Sequence, residues 1–214
     1  PDTPEVQAFA WNQASRVEFQ EYLQWIADTQ LAAAKARCAE RGLAIGLYID
    51  LAVGAARQGA DAWGDQSAIV QQATVGCPPD PFNMLGQNWS IPPLHPLALR
   101  EQGYQPFIAM LRANMRNAGA LRIDHVMGLM HLFWIPMDDT PASGAYVKYP
   151  FDDLLAILAL ESQRNRCLVV GEDLGTVPDG FREKMAAANV LSYRVVIFEK
   201  DGDRFKRPDE HPAR

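Results

Sequence analysis

Residues 151–173 read FDDLLAILALESQRNRCLVVGED. Apolar residues at helical spacing run from Phe151 to about Asn165, and the short apolar stretch Cys167 to Glu172 follows as a buried strand. The same order recurs along the chain. Ser15 to about Arg41 carries Val17, Phe19, Leu23, Ile26, Leu31 and Ala34 on a roughly helical period, and Gly42 stops it. Leu43 to Val53 reads as the next strand, closed by Gly54. A helix from about Pro106 to Ala118 leads into a strand at Ala120 to Val126, and one from about Asp179 to Asn189 into a strand at Tyr193 to Phe198. Helix then strand, repeated in this way, predicts a parallel sheet with crossover helices.

The connection from about Gly54 to Leu97 holds CPPD, GQNWS and IPPLHP. It is too long for a plain loop, and such segments are usually functional. It leaves the C-terminal end of a strand, where the loops of a barrel build the active site. The expected fold class is therefore α/β, a partial (β/α)₈ barrel of about four βα units, with residues 1–214 as one piece of a catalytic domain. A whole barrel needs roughly 250 residues, so an N-terminal part and later strands are expected to be missing. Open sheet edges would leave such a piece poorly folded and inactive by itself.

With 48% hydrophobic and 21% charged residues the composition is that of a globular domain. A formal charge of −6 and the absence of Lys/Arg runs give no footprint for nucleic acid or an anionic membrane. No stretch is long and apolar enough to span a bilayer. Cys38, Cys77 and Cys167 are scattered and match no metal-ligand spacing, which predicts reduced structural thiols and a cytoplasmic location.

Two acidic groups end apolar strands. In Leu121-Arg122-Ile123-Asp124-His125 the pleat puts Arg122 and Asp124 on one face. An Arg beside a carboxylate favours its ionised form, as a nucleophile requires, although the spacing alone fits a structural ion pair equally. In Val169-Val170-Gly171-Glu172-Asp173-Leu174-Gly175, a carboxyl pointing inward would be desolvated in the way a general acid needs. Glu172 suits that role; Asp173 suits a capping role. Together the two groups match the paired carboxylates of glycoside chemistry. A divalent metal held by the acids is the other reading the residues leave open.

The segments ALRIDHVMGLMHLFWIP, GEDLGTVP, GCPPDPFNMLGQNWSIPP and IGLYIDLAVG resemble, in matching order, the signatures of 4-α-glucanotransferases (amylomaltases), and more closely those of the long bacterial maltodextrin-utilising form. The resemblance covers the chain from about Phe19 onward. It implies that Asp124 is the nucleophile and Glu172 the general acid/base, that Arg122 orients Asp124, and that His125 contacts the sugar. It also implies that Asp80, Gln87 and Trp89 belong to a loop over the acceptor side of the cleft. The substrates implied are maltooligosaccharides and other α-1,4-glucans, with no metal and no organic cofactor.

The family's third catalytic Asp, in a Thr-His-Asp-like segment, has no counterpart here. The short form places a Gly-Asp pair where this chain has Gly46-Leu47, and Asp50 is the candidate to replace it. The rivals are an α-glucan hydrolase with the same carboxylates, a metal-dependent barrel enzyme using Asp50, Asp124 and Glu172, and a non-catalytic glucan-binding piece. Retention predicts carboxyl groups about 5–5.5 Å apart, against ~6.5–9.5 Å for inversion. Trp11 and Trp25 are expected to pack, His131 and Trp134 to be structural, and His95 to be exposed.

Overall fold

A computed structural model describes residues 1–81 and 83–211. Helices α1 (Pro4–Asn12) and α2 (Ala14–Glu40) lead to strand β1 (Tyr48–Leu51), the short helix α3 (Ala60–Gly64) and strands β2 (Ala73–Cys77) and β3 (Gln87–Asn88). Helices α4 (Pro96–Glu101) and α5 (Gln105–Met115) precede β4 (Ala120–Ile123), β5 (His131–Pro136) and β6 (Ala145–Lys148). Then come α6 (Phe151–Asn165), β7 (Leu168–Gly171), α7 (Phe181–Ala187), β8 (Leu191–Ser192), β9 (Lys200–Asp201) and β10 (Arg204–Phe205).

The parallel sheet read from the sequence is present, in the order β1-β4-β7-β8, with every neighbouring pair parallel. Its two faces differ. Leu51, Leu121, Ile123 and Val169 are buried together with Phe107, Leu111 and Met115 of α5 and Phe151, Leu154 and Leu158 of α6. Those helix positions recur every three or four residues, the spacing that turns one stripe towards a sheet. The alternate strand residues Tyr48, Asp50 and Leu168 are exposed, and Arg122 and Val170 are partly so. One face of the sheet is covered by helices and the other is open.

Buried charge ties the covering helices together. Glu161 of α6 is buried, and Arg112 of α5 grips both its oxygens at 2.8 and 2.9 Å while Arg164 adds a third contact at 2.9 Å. The Arg112 hydrogen bonds, ahead of the burial that opposes them, hold this carboxyl below its ordinary value of 4.5. A lowered folded-state pKa means stability that is complete above the unfolded value and is lost as pH falls through the folded one. Glu161→Gln should therefore lower the melting temperature near pH 7, and the gap to the parent should close as the pH drops below about 4.5. A gap that stays constant down to about pH 3 would contradict this.

Several sequence expectations are corrected. The 54–97 segment, expected as a long substrate-cleft loop, holds regular elements: α3, β2, β3 and the start of α4 lie within it. β2 pairs with β5, a strand absent from the sequence expectations, in an antiparallel sheet of order β3-β2-β5-β6. His131 and Trp134 both lie on β5. The strand expected over 43–53 is confined to Tyr48–Leu51, and Leu43 and Ile45 are exposed. The strand expected at Tyr193–Phe198 lies two residues earlier, at Leu191–Ser192, and Val196–Phe198 forms an exposed 3₁₀ turn. Trp11 and Trp25 are 85% and 60% exposed and do not pack in a core. His95 is half-buried and caps α4, its Nδ1 accepting from the Leu97 and Ala98 N–H groups at 3.2 and 3.3 Å.

Gly119 shows how tightly the sheet begins. A Cβ there would lie 1.5 Å from the Ile45 carbonyl oxygen, because the Gly119 N–H donates to Leu47 O in the same approach. Gly119→Ala should cost about 3 kcal/mol or more in a denaturant titration; a loss under about 1 kcal/mol would show that the approach is not close.

Candidate active site

Register brings the two acidic groups together. Ile123 stands opposite Gly171, so Asp124 and Glu172 occupy the next rung, at the C-terminal end of both strands. Three backbone bonds lock that rung: Asp124 N–H to Leu51 O (3.0 Å), Glu172 N–H to Ile123 O (2.9 Å) and Val126 N–H to Glu172 O (2.9 Å). Parallel strands lie about 4.8 Å apart, so the two carboxylates leave neighbouring points on one sheet face. Gly171 makes room: a Cβ there would meet Val126 Cγ1 at 2.8 Å.

Arg122 forks between two carboxylates. Its Nη1 donates to Asp50 Oδ1 at 2.6 Å and its Nη2 to Asp124 Oδ1 at 2.8 Å. Asp50 faces Arg122 across the β1–β4 ladder, so all three share the open face. Hydrogen bonds and charge from both acids raise the Arg122 guanidinium above its ordinary value against the opposing effect of burial, which is the largest single influence. The guanidinium stands between Asp50 and Asp124, where a shared cation would have to sit. Among the described residues no group of three or more His, Cys, Asp or Glu side chains is arranged to hold a metal ion.

Glu172 is 9% exposed, as expected of a carboxyl leaving an apolar strand. Its Oε2 accepts from the His125 N–H at 2.9 Å and its Oε1 from the Leu174 N–H at 3.1 Å. His125 can donate there because its φ is +49°, a left-handed conformation unusual for a residue with a side chain. Burial lowers the His125 imidazole, with Asp124 opposing and His131 reinforcing the shift. The ring stays neutral near pH 7.

Trp89 meets His125 edge-on, ring centroids 5.2 Å apart. Gln87 orients it, Oε1 accepting from the indole Nε1 at 2.9 Å. Asp80 Oδ1 accepts from the Asn83 N–H at 2.7 Å and so shapes its own turn. Burial, reinforced by Asp80 and Glu172, pushes the Cys77 thiol up. The antiparallel sheet thus carries Gln87 and Trp89 to the end of the parallel sheet where Asp124 and Glu172 stand, and Asp80 lies in the β2–β3 connection beside them in sequence. Asp173 is structural, but not as the cap expected: it is buried, paired with Arg182 at 2.7 Å and bonded by the Ser192 hydroxyl at 2.9 Å, and the cap position of α7 is Gly180.

Two neighbours are absent from the sequence expectations. Tyr193 lies beyond β8 on the Glu172 rung, and its ring stands 5.2 Å from the Arg122 guanidinium carbon. Tyr48 shares the open face, and its hydroxyl, raised chiefly by partial burial, also feels Arg122, Tyr193 and Asp50. No local signal marks Tyr193, because the register that sets it beside Glu172 is a property of the β7–β8 pairing.

The architecture, an α/β sheet with acids clustered at the strand C-termini, is that of the amylomaltase class. The structure overlays on amylomaltase from Corynebacterium glutamicum with a TM-score of 0.82 and 41% identity, covering 86% of this chain and 26% of that one. It also shares its fold with an amylomaltase from Streptococcus agalactiae solved in complex with acarbose (TM-score 0.81, 19% identity, 92% and 41% covered). The sequence profile described as 4-alpha-glucanotransferase matches residues 1–214, and the chain belongs to that family. It is 49% identical over 197 residues to a 4-alpha-glucanotransferase of Haemophilus influenzae and 45% identical over 203 residues to one of Mycobacterium tuberculosis, covering 92% and 95% of this chain. The chain spans about 28% of the length of those relatives. Identity falls to 28% with a 4-alpha-glucanotransferase of Chlamydia muridarum, of which the chain covers 36%. The stronger likeness is to the longer relatives, as the motifs suggested.

Proposed function

We propose that residues 1–214 carry two of the three catalytic carboxylates of a cytoplasmic 4-α-glucanotransferase, set on about four βα units of a (β/α)₈ barrel. The barrel reading is supported by the open sheet face: in a closed barrel Tyr48, Asp50 and Leu168 would point to the interior and the helices would form the outer ring. Cytoplasmic location is supported by the free, scattered cysteines. The substrates are maltooligosaccharides and other α-1,4-glucans.

The observation that carries the reading is the shared rung of Asp124 and Glu172. Carboxylates leaving adjacent strands suit the ~5–5.5 Å separation of a retaining pair, in which one acid attacks directly. Arg122 holds Asp124 Oδ1, so Oδ2 attacks the anomeric carbon while Glu172 gives its proton to the departing glycosidic oxygen. The resulting glucosyl ester is then displaced by the 4-hydroxyl of an acceptor sugar, whose proton returns to Glu172. Two inversions retain configuration. Neutral His125 contacts the sugar at the cleavage point, Trp89 offers it a flat apolar face, and Gln87, Asp80 and Asp50 contact hydroxyls.

Incubating the whole enzyme with maltotriose tests this. Transfer yields glucose and longer maltooligosaccharides with almost no net rise in reducing ends. A rise that matches the number of bonds broken would instead identify a hydrolase.

A further inference from the structure

We propose that Tyr193 is a positioning residue for the nucleophile, acting through Arg122. The inference rests on the assignment of Asp124 made above. Arg122 must hold its guanidinium plane so that Nη1 reaches Asp50 and Nη2 reaches Asp124 at once. Both carboxylates lie at its edge, and the hydrogen bonds to them leave rotation about the long side chain restrained only at that edge. The Tyr193 ring, 5.2 Å from the guanidinium carbon, lies within the ~6 Å reach of a cation–π contact. An aromatic face against a guanidinium fixes its plane without competing for its N–H donors.

Backbone geometry places the ring there. Val170 pairs with Leu191 and Gly171 with Ser192, and the Tyr193 N–H donates to Gly171 O at 3.0 Å, so Tyr193 takes the rung beside Glu172. On the pleat this directs it to the same face as Arg122, Asp124 and Glu172. Ser192, one residue earlier, is anchored by its hydroxyl to buried Asp173 at 2.9 Å. The end of β8 is therefore held from below by Asp173. The Tyr193 ring and the two acids Asp50 and Asp124 thus meet on a single cation.

The test compares Tyr193→Phe and Tyr193→Leu in the whole enzyme, each also made in an Arg122→Lys background. Phe keeps the ring and should leave kcat within about two-fold of wild type. Leu removes the π-face and should lower kcat on the order of ten-fold, the scale of one cation–π contact, with KM changed less than about two-fold. In the Arg122→Lys background, where no planar guanidinium remains to be held, the cost of Leu should shrink to under about two-fold. Wild-type kcat for the Leu variant, equal damage from Phe and Leu, or an undiminished cost of Leu in the Arg122→Lys background would each overturn the proposal. Should Tyr193→Leu fail to fold, Tyr193→Met, similar in bulk and without a ring, takes its place under the same criteria. An active Asp124→Asn enzyme would instead overturn the nucleophile assignment, which keeps the two failures apart.

Discussion

Asp124→Asn in the whole enzyme is expected to lower the rate of maltotriose disproportionation by about 10⁴-fold or more while maltooligosaccharide binding persists. That loss corresponds to about 5.5 kcal/mol of transition-state stabilisation. Asn has the shape of Asp and can still accept from Arg122 Nη2, so the fork with Asp50 loses charge without losing its geometry. What disappears is the nucleophile. Asp124→Ala should fall as far, because neither variant can form the ester. Transfer within ten-fold of wild type by either variant would end the assignment. Equilibrium binding of maltooligosaccharide, measured by calorimetry, separates a chemical loss from an unfolded site.

Glu172→Gln should cost about 10²–10⁴-fold with ordinary maltooligosaccharides, the range of a lost general acid. Its signature lies in the leaving group. A glycosyl fluoride departs without a proton, so the first step should recover most of its speed with that donor, whereas the second still lacks a base. The Gln carbonyl oxygen can replace only one of the two acceptors that Glu172 presents to the His125 and Leu174 N–H groups. A modest loss of stability is therefore also expected, about 1–3 kcal/mol for a buried donor left unpaired. Equal impairment of the first step with the fluoride and the maltooligosaccharide would mean that Glu172 supports the site without giving up a proton.

The parallel sheet is legible in the sequence because each of its central strands is short, apolar and preceded by a helix with a clear stripe, as at Leu154–Leu158 before Val169. The catalytic rung is legible for the same reason. Asp124 and Glu172 stand where an apolar strand stops, and the alternation of Arg122 with Asp124 is a property of any pleated strand. The antiparallel sheet is not legible because its partners are remote: β2 pairs with β5 across a separation that local pattern does not encode. The β5–β6 hairpin does have a local signal, HLFWIP and AYVK around a Pro-, Gly- and Ser-bearing turn, but it is overshadowed by the stronger motif before it.

Strand β8 is displaced from its expected position because VVIF is the more apolar run, whereas the actual pairing is fixed by Gly171 and by the Ser192–Asp173 bond. Helix α2 lies within a residue of its expected bounds at each end, yet the burial expected of Trp25 does not follow from its period. Periodicity locates a helix without naming what covers it. The link from His125 to Glu172 is beyond the sequence altogether, since it depends on a positive φ at a residue other than glycine.

The most direct measurement is to trap the intermediate. Glu172→Gln enzyme treated with an α-maltooligosyl fluoride should accumulate a covalent glycosyl adduct, since fluoride leaves readily and no base activates the acceptor. Mass spectrometry of a peptic digest should find the added glucan on the peptide around Leu121–His125, with the modification on Asp124. An adduct on any other residue, or the absence of an adduct together with product of inverted configuration, would contradict a double displacement through Asp124.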